Sequence, residues 1–285
     1  MPTDSERNAI EAHFEEVKAD FQHALHIAIE AKNAAEGTKT DRRGELADTL
    51  LLRNILTGMT IFQALHPSSV NQFPKLISPD FASIAVLART ILETSLAMFS
   101  ISIQQYPKGE TELRLLWWDW HELNEKIRAL QIIRSKRPEI KVLEERRAAL
   151  GKRIDGHTSF EAMPKQLRKD FKKGEPPRQA LWESNGAIAV DSGILREHFN
   201  VQYQFLSAAA HSQPMIVSVL RKHDPHALEA KGMINEALNF ATAYLAFSVC
   251  GFSQLCPAAT NVFDSRFTKI AKVWVGVFAK PFPED

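Results

Sequence analysis

The stretch Ser78–Tyr106, SPDFASIAVLARTILETSLAMFSISIQQY, decides the fold. It is apolar on almost every side, which predicts a long, central, buried helix. Ser78 is expected at the N-cap, Pro79 at the first helical position and Asp80 beside the positive end of the helix dipole. Tyr106-Pro107-Lys108-Gly109 is expected to end the helix, because a proline drives the residue before it out of the α region. Two full charges, Arg89 and Glu93, stand one turn apart in the middle. In so apolar a helix they are expected to be buried and bonded to each other or to a facing helix. Arginine before glutamate is the weaker order for a surface pair, so a purely surface role explains them poorly.

The rest of the chain repeats the helical period. Phe14, Val17, Phe21, Leu25 and Ala28 mark a first helix over 5–36. Leu46, Leu50, Ile55, Met59 and Phe62 mark a second, to about His66, stopped by Pro67. Leu113, Leu116, Trp117, Trp120, Leu123 and Ile127 form an aromatic stripe from about Glu110, expected in the core rather than as a base-stacking platform. Ile140–Arg153 and a short basic segment follow, then helices over Leu195–His211, from His226 to Gln254, and over Ala259–Phe278. No stretch shows sustained strand alternation, and no glycine-rich phosphate loop is present. The expected fold is all-α: a multi-helix bundle with two long buried helices, Phe81–Tyr106 and Ala237–Gln254, and a basic helical excursion. It is expected as a single domain over 1–285, with its core in 5–127 and 195–280 and a basic insertion at about 128–178.

With 45% apolar and 24% charged residues, the composition is that of an ordinary globular protein. Two cysteines, Cys250 and Cys256, form no disulfide framework or metal-ligand spacing, which points to a reducing, cytoplasmic location. The polar start MPTDSERNAI is unlike a signal peptide. Ala237–Cys256 carries no charge, yet its polar residues and the lack of a basic flank close to its C-terminal end favour a core helix over a membrane span. A strip of His23, His26 and Glu30 is more readily solvated surface than a metal site; no metal or cofactor is expected.

Charge is unevenly spread. Lys126–Arg178 holds 16 basic and 7 acidic residues, net +9, and the remainder 19 and 27, net −8. Lys165, Arg168, Lys169, Lys172 and Lys173 are the candidates for contact with RNA or another polyanion, the alternative being a solvated surface. Further copies of the chain are the other partner this sequence admits.

On the helix VQYQFLSAAAHSQP (201–214), Tyr203, Ser207 and His211 are spaced i, i+4, i+8 on one face, beside the small residues Ala208–Ala210. No G-x-S-x-G elbow surrounds Ser207, so it is no hydrolase nucleophile. The pairing of ARTILET (Ala88–Thr94) with Y-x-x-x-S-x-x-x-H-S (Tyr203–Ser212) resembles an uncharacterised all-helical bacterial domain-of-unknown-function family. The likeness runs over about Phe81–Arg221, with Arg89, Glu93, Tyr203, Ser207 and His211 at matching positions. More distantly it is similar to the helical HEPN bundles, many of which are RNases of toxin and phage-defence systems. Their R-x(4–6)-H motif occurs here at Arg7–His13, Arg114–His121 and Arg221–His226, about as often as chance places it. Any catalytic pairing of Arg89 with His211 must therefore be made across the bundle.

Two readings stand. In a metal-independent ribonuclease, His211 would move the proton and Arg89 would face the phosphorane charge, supported by Glu93, Tyr203 and Ser207. In a non-enzymatic interaction module, the same residues form a polar network that fixes helix register.

Overall fold

The computed structural model describes residues 4–65, 80–133, 138–174, 180–211, 213, 214, 217, 218 and 228–277. Ten α-helices carry the argument, and no strand occurs among the described residues. The protein is all-α, as its periodicity predicts. The chain divides into two compact units: Met1–Ile103 with Asn185–Asp285, and Gln104–Ser184.

The first unit contains α1 (Asp4–Ala34), α2 (Arg42–Leu65), α3 (Phe81–Met98), α7 (Asn185–Asp191), α8 (Arg196–Ala210), α9 (Leu228–Leu255) and α10 (Ser265–Val277). Helix α3 is central: α2, α7, α8 and α9 all pack on it. Ile84, Ile91, Leu92, Leu96 and Met98 are sealed from solvent, as are Phe21 of α1, Leu51 and Ile61 of α2, and Leu238, Leu245 and Phe252 of α9. Each such side chain stabilises the fold by about 1.5–3 kcal/mol. Among the described residues only Phe81–Ile103 is long and apolar enough to cross a membrane, and here it is the core of a bundle.

Local chemistry differs from the sequence expectation at both ends of α3. Ser78 and Pro79 lie outside the described residues, as does the expected Pro67 stop. The N-cap is Asp80, whose carboxylate accepts from the Ala82 N–H at 3.0 Å and from the Ser83 hydroxyl. At the other end the helix widens into a π-turn, Phe99–Ile103. Helix α9 crosses close by: a Cβ at Gly251 would crowd the end of the Ile103 side chain. The last helix also starts later than expected, after a 3₁₀ turn at Pro257–Val262. Its first turn is capped by Asp264, which accepts from the Phe267 N–H at 2.7 Å.

The second unit contains α4 (Lys108–Ile132), α5 (Glu139–Asp155), a 3₁₀ turn at Phe160–Ala162 and α6 (Lys165–Lys172). The aromatic stripe of α4 is buried here. Leu113, Leu116, Trp117 and Trp120 pack with Ile154, Phe160, Met163, Leu167 and Trp182, and Phe171 meets the Trp120 ring edge-on at 5.0 Å. The unit boundary therefore falls at Gln104 rather than near 128, because the stripe belongs to this core.

Candidate functional site

Arg89 and Glu93 lie on the α3 face that meets α8. Arg89 Nε donates to Glu93 Oε1 at 3.0 Å, and Arg89 Nη2 donates to the Tyr203 hydroxyl at 2.9 Å. That hydroxyl donates on to Glu93 Oε1 at 3.1 Å, closing a three-membered ring of bonds. The guanidinium also sits 4.9 Å from the centre of the Tyr203 ring, which stacks on Phe199 at 5.3 Å. Burial opposes the Arg89 charge, but the attraction and hydrogen bond of Glu93, helped by Tyr203, hold its pKa above the ordinary arginine value.

The partners match the sequence expectation; the depth does not. The Arg89 side chain is 20% exposed and that of Glu93 39%, so the pair is half-buried. The pair needs no deep desolvation, and its bonds join two helices at the rim of the bundle.

Further along α8 the column separates. The Ser207 hydroxyl is buried without a hydrogen-bond partner among the described residues. His211 is exposed at the C-cap, where its backbone N–H donates to the Ser207 carbonyl at 3.1 Å. No hydrogen bond or ion pair joins its ring to Arg89 or Glu93. The structure thus gathers Arg89, Glu93 and Tyr203 and leaves His211 facing water.

The second candidate surface is α6. At 100° per residue, Lys165, Lys169 and Lys172 fall within an arc of about 60°. All three are exposed, and Lys173 extends the exposed row beyond the helix end. On the opposite face Leu167 and Phe171 pack into the tryptophan core. Arg168, at the edge, pairs with Glu161 and is half-buried, so it is less available to a ligand. The Lys172 ammonium lies 5.3 Å from the Phe160 ring centre.

Two buried polar clusters escaped the sequence reading. Arg114 of α4 is nearly sealed, with its side chain 7% exposed. It donates Nη1 and Nη2 to the two Glu183 oxygens at 2.9 and 2.6 Å and Nε to Glu110 at 2.9 Å. Its guanidinium lies between the rings of Tyr106 and Trp182, at 3.8 and 4.2 Å. Burial works against this charge, and the bonds to Glu183 more than offset it, raising the pKa. The other cluster is neutral. Asn54 Nδ2 donates to Ser95 Oγ at 3.1 Å and Ser248 Oγ at 2.9 Å, tying α2, α3 and α9 together in the core. The single Ser95 hydroxyl hydrogen is within reach of the Ile91 carbonyl at 2.7 Å and the Tyr244 carbonyl at 3.1 Å. The one available signal was a carboxamide and two hydroxyls in otherwise apolar helices.

No predicted site residue lines the cavity of about 510 Å³ where α1 meets α2, bounded by Lys32, Glu36, Glu45, Asp48, Phe252 and Cys256. Among the described residues no three His, Cys, Asp or Glu side chains converge as metal ligands would. His23 is engaged elsewhere, 2.9 Å from Asp264 at the start of α10. The chain matches no protein-family model, no curated protein and no solved structure.

Proposed function

We propose that this is a polyanion-binding helical protein, with RNA as its ligand, in which the Arg89–Glu93–Tyr203 ring is a structural clasp between α3 and α8. The observation that carries the reading is the two-faced build of α6, with Lys165, Lys169 and Lys172 outward and Leu167 and Phe171 anchored on tryptophans. A lysine row fixed on a packed helix presents point charges to phosphates without first ordering a loop. The uneven charge of the chain and its resemblance to HEPN bundles support RNA as the polyanion. Within the clasp Glu93 already balances the Arg89 charge, which makes it a poorer phosphate ligand than the unpaired lysines of α6.

Binding of a fluorescent single-stranded RNA, followed by anisotropy over a salt series, tests this. Log affinity should fall steeply with log salt, and replacing Lys165, Lys169 and Lys172 together by alanine should flatten the slope by about 2. An unchanged slope leaves α6 as ordinary solvated surface. A cleavage reading has one observation in its favour, the exposure of His211, which leaves it within reach of a ligand. RNA cleavage that His211→Gln abolishes in a folded protein would establish it; uncleaved RNA leaves binding alone.

A further inference from the structure

What surrounds the α6 row bears on the form of RNA it can hold. Single strands are held by bases stacking on open aromatic faces. No phenylalanine, tyrosine or tryptophan of the second unit is exposed: Trp117, Trp120, Phe160 and Trp182 are buried, and Tyr106, Trp118 and Phe171 are half-buried. Phe171 meets the Trp120 ring edge-on at 5.0 Å, and the Arg114 guanidinium covers the Tyr106 ring at 3.8 Å. Beside the row itself, the Phe160 ring is buried next to the Lys172 ammonium. Base edges find no reader either. The forked side chains of α6, Gln166 and Arg168, have the geometry for a base edge, but both are occupied. Gln166 Nε2 donates to Asp170 Oδ1 at 2.7 Å, and Arg168 pairs with Glu161. Gln166 and Asp170 also stand about 100° and 140° round the helix from Lys165, away from the lysine arc.

The backbone is what remains to be recognised. Lys165, Lys169 and Lys172 have no carboxylate partner among the described residues, and an ammonium binds phosphate as a point charge. From Lys165 to Lys172 the row runs about 10 Å along the helix axis. That is the axial reach of about three successive phosphates on one strand of a double helix. A duplex holds those phosphates in place in advance and packs roughly one charge into each 1.7 Å of its axis. A single strand would first have to be ordered against the row, with no stacking to offset the freedom it loses. The deep, narrow major groove of A-form RNA hides its base edges from side chains, so duplex RNA is recognised through phosphates and shape, which is all that this row engages.

Resting on the RNA-binding reading, we propose that α6 takes double-stranded RNA, its lysines lying along the phosphates of one strand without regard to sequence. The full chain is titrated by anisotropy into a dye-labelled RNA duplex of about 20 base pairs and into each of its single strands, over a salt series. The duplex should bind about tenfold or more tightly than either strand, and a duplex of scrambled sequence should bind equally well. Replacing Lys165, Lys169 and Lys172 together by alanine should flatten the log–log salt slope on the duplex by roughly 2–3 and shrink its advantage over the single strands. Arginine at the same three positions should restore both. These side chains are exposed, so the fold survives, and circular dichroism of each variant checks it. Lys141→Ala with Arg146→Ala and Lys152→Ala removes the same charge from exposed positions on α5 and should leave the duplex advantage in place. Single strands that bind as tightly as the duplex would overturn the duplex assignment while leaving RNA binding intact. No binding of either form at low salt would overturn both. A scrambled duplex bound tenfold more weakly would overturn the sequence-blind mode. An equal loss on removing the α5 charges would overturn the row as the site, in favour of diffuse attraction.

Discussion

The two units each hold an arginine bonded to a glutamate one turn away, and the two pairs behave differently. In the first, Arg89 lies in the most apolar stretch of the chain, yet its clasp with Glu93 and Tyr203 stays half-exposed at the rim. In the second, Arg114 sits on an aromatic stripe beside ordinary polar neighbours, yet it is almost sealed. An apolar flank along the chain is thus a poor gauge of how deep a charge will lie. Depth follows the supply of partners. Arg114 has a bidentate carboxylate, a second glutamate and two aromatic faces, enough to replace water around a flat guanidinium. Arg89 has one carboxylate oxygen, one hydroxyl and one ring, and keeps part of its hydration.

This contrast can be broken by mutation. Glu183→Ala should have the largest effect, about 3–5 kcal/mol, because it strands a buried guanidinium. Urea unfolding followed by tryptophan fluorescence reads mainly this unit, since four of the five tryptophans, Trp117, Trp118, Trp120 and Trp182, belong to it and only Trp274 to the first. A loss under about 1 kcal/mol would mean that Glu110 and the rings suffice to hold Arg114.

Glu93→Ala should cost much less, about 1 kcal/mol, since water can reach the freed Arg89. Circular dichroism through a urea titration checks this. A loss as large as that of Glu183→Ala would erase the distinction between the clasps.

The smallest effect is a pH dependence in the second unit. Burial lowers the pKa of His121 below 6.5, with Glu125 pulling weakly the other way. Between the folded pKa and about 6.5 the unfolded chain binds more protons, so stability from this group is complete above that window and declines as pH falls through it. The tryptophan-monitored midpoint should drop between neutral and mildly acidic pH. His121→Gln should flatten that part of the profile, and an unchanged slope would assign the acid response elsewhere.

Much of the fold was legible because helix periodicity is local. The extents of α1, α2, α5 and α9 fall close to their apolar patterns, and the Arg89–Glu93–Tyr203 contact follows from two charges that needed a facing helix. What the sequence concealed depends on partners far along the chain. Glu183 lies 69 residues from Arg114, and Ser248 lies 194 from Asn54, so no window of one or two turns contains both members. The π-turn at Phe99–Ile103 was hidden for a different reason: Phe-Ser-Ile-Ser-Ile carries no residue that distinguishes a widened turn from a regular one. The depth of the tryptophan stripe was expected, but not which core receives it, because periodicity identifies a face and not its partner.

The division of the chain also constrains the order in which it can be built. Everything the second unit needs, from Gln104 to Ser184, leaves the ribosome as one uninterrupted piece. The first unit is written in two instalments, and its central knot needs Asn54 and Ser95 from the first and Ser248 from the last. During synthesis the apolar flanks of α3 must wait, uncovered by α9, while more than a hundred further residues are made. A nascent chain of this design folds its inserted unit before its outer one, and the interval in between is when a chaperone would find it.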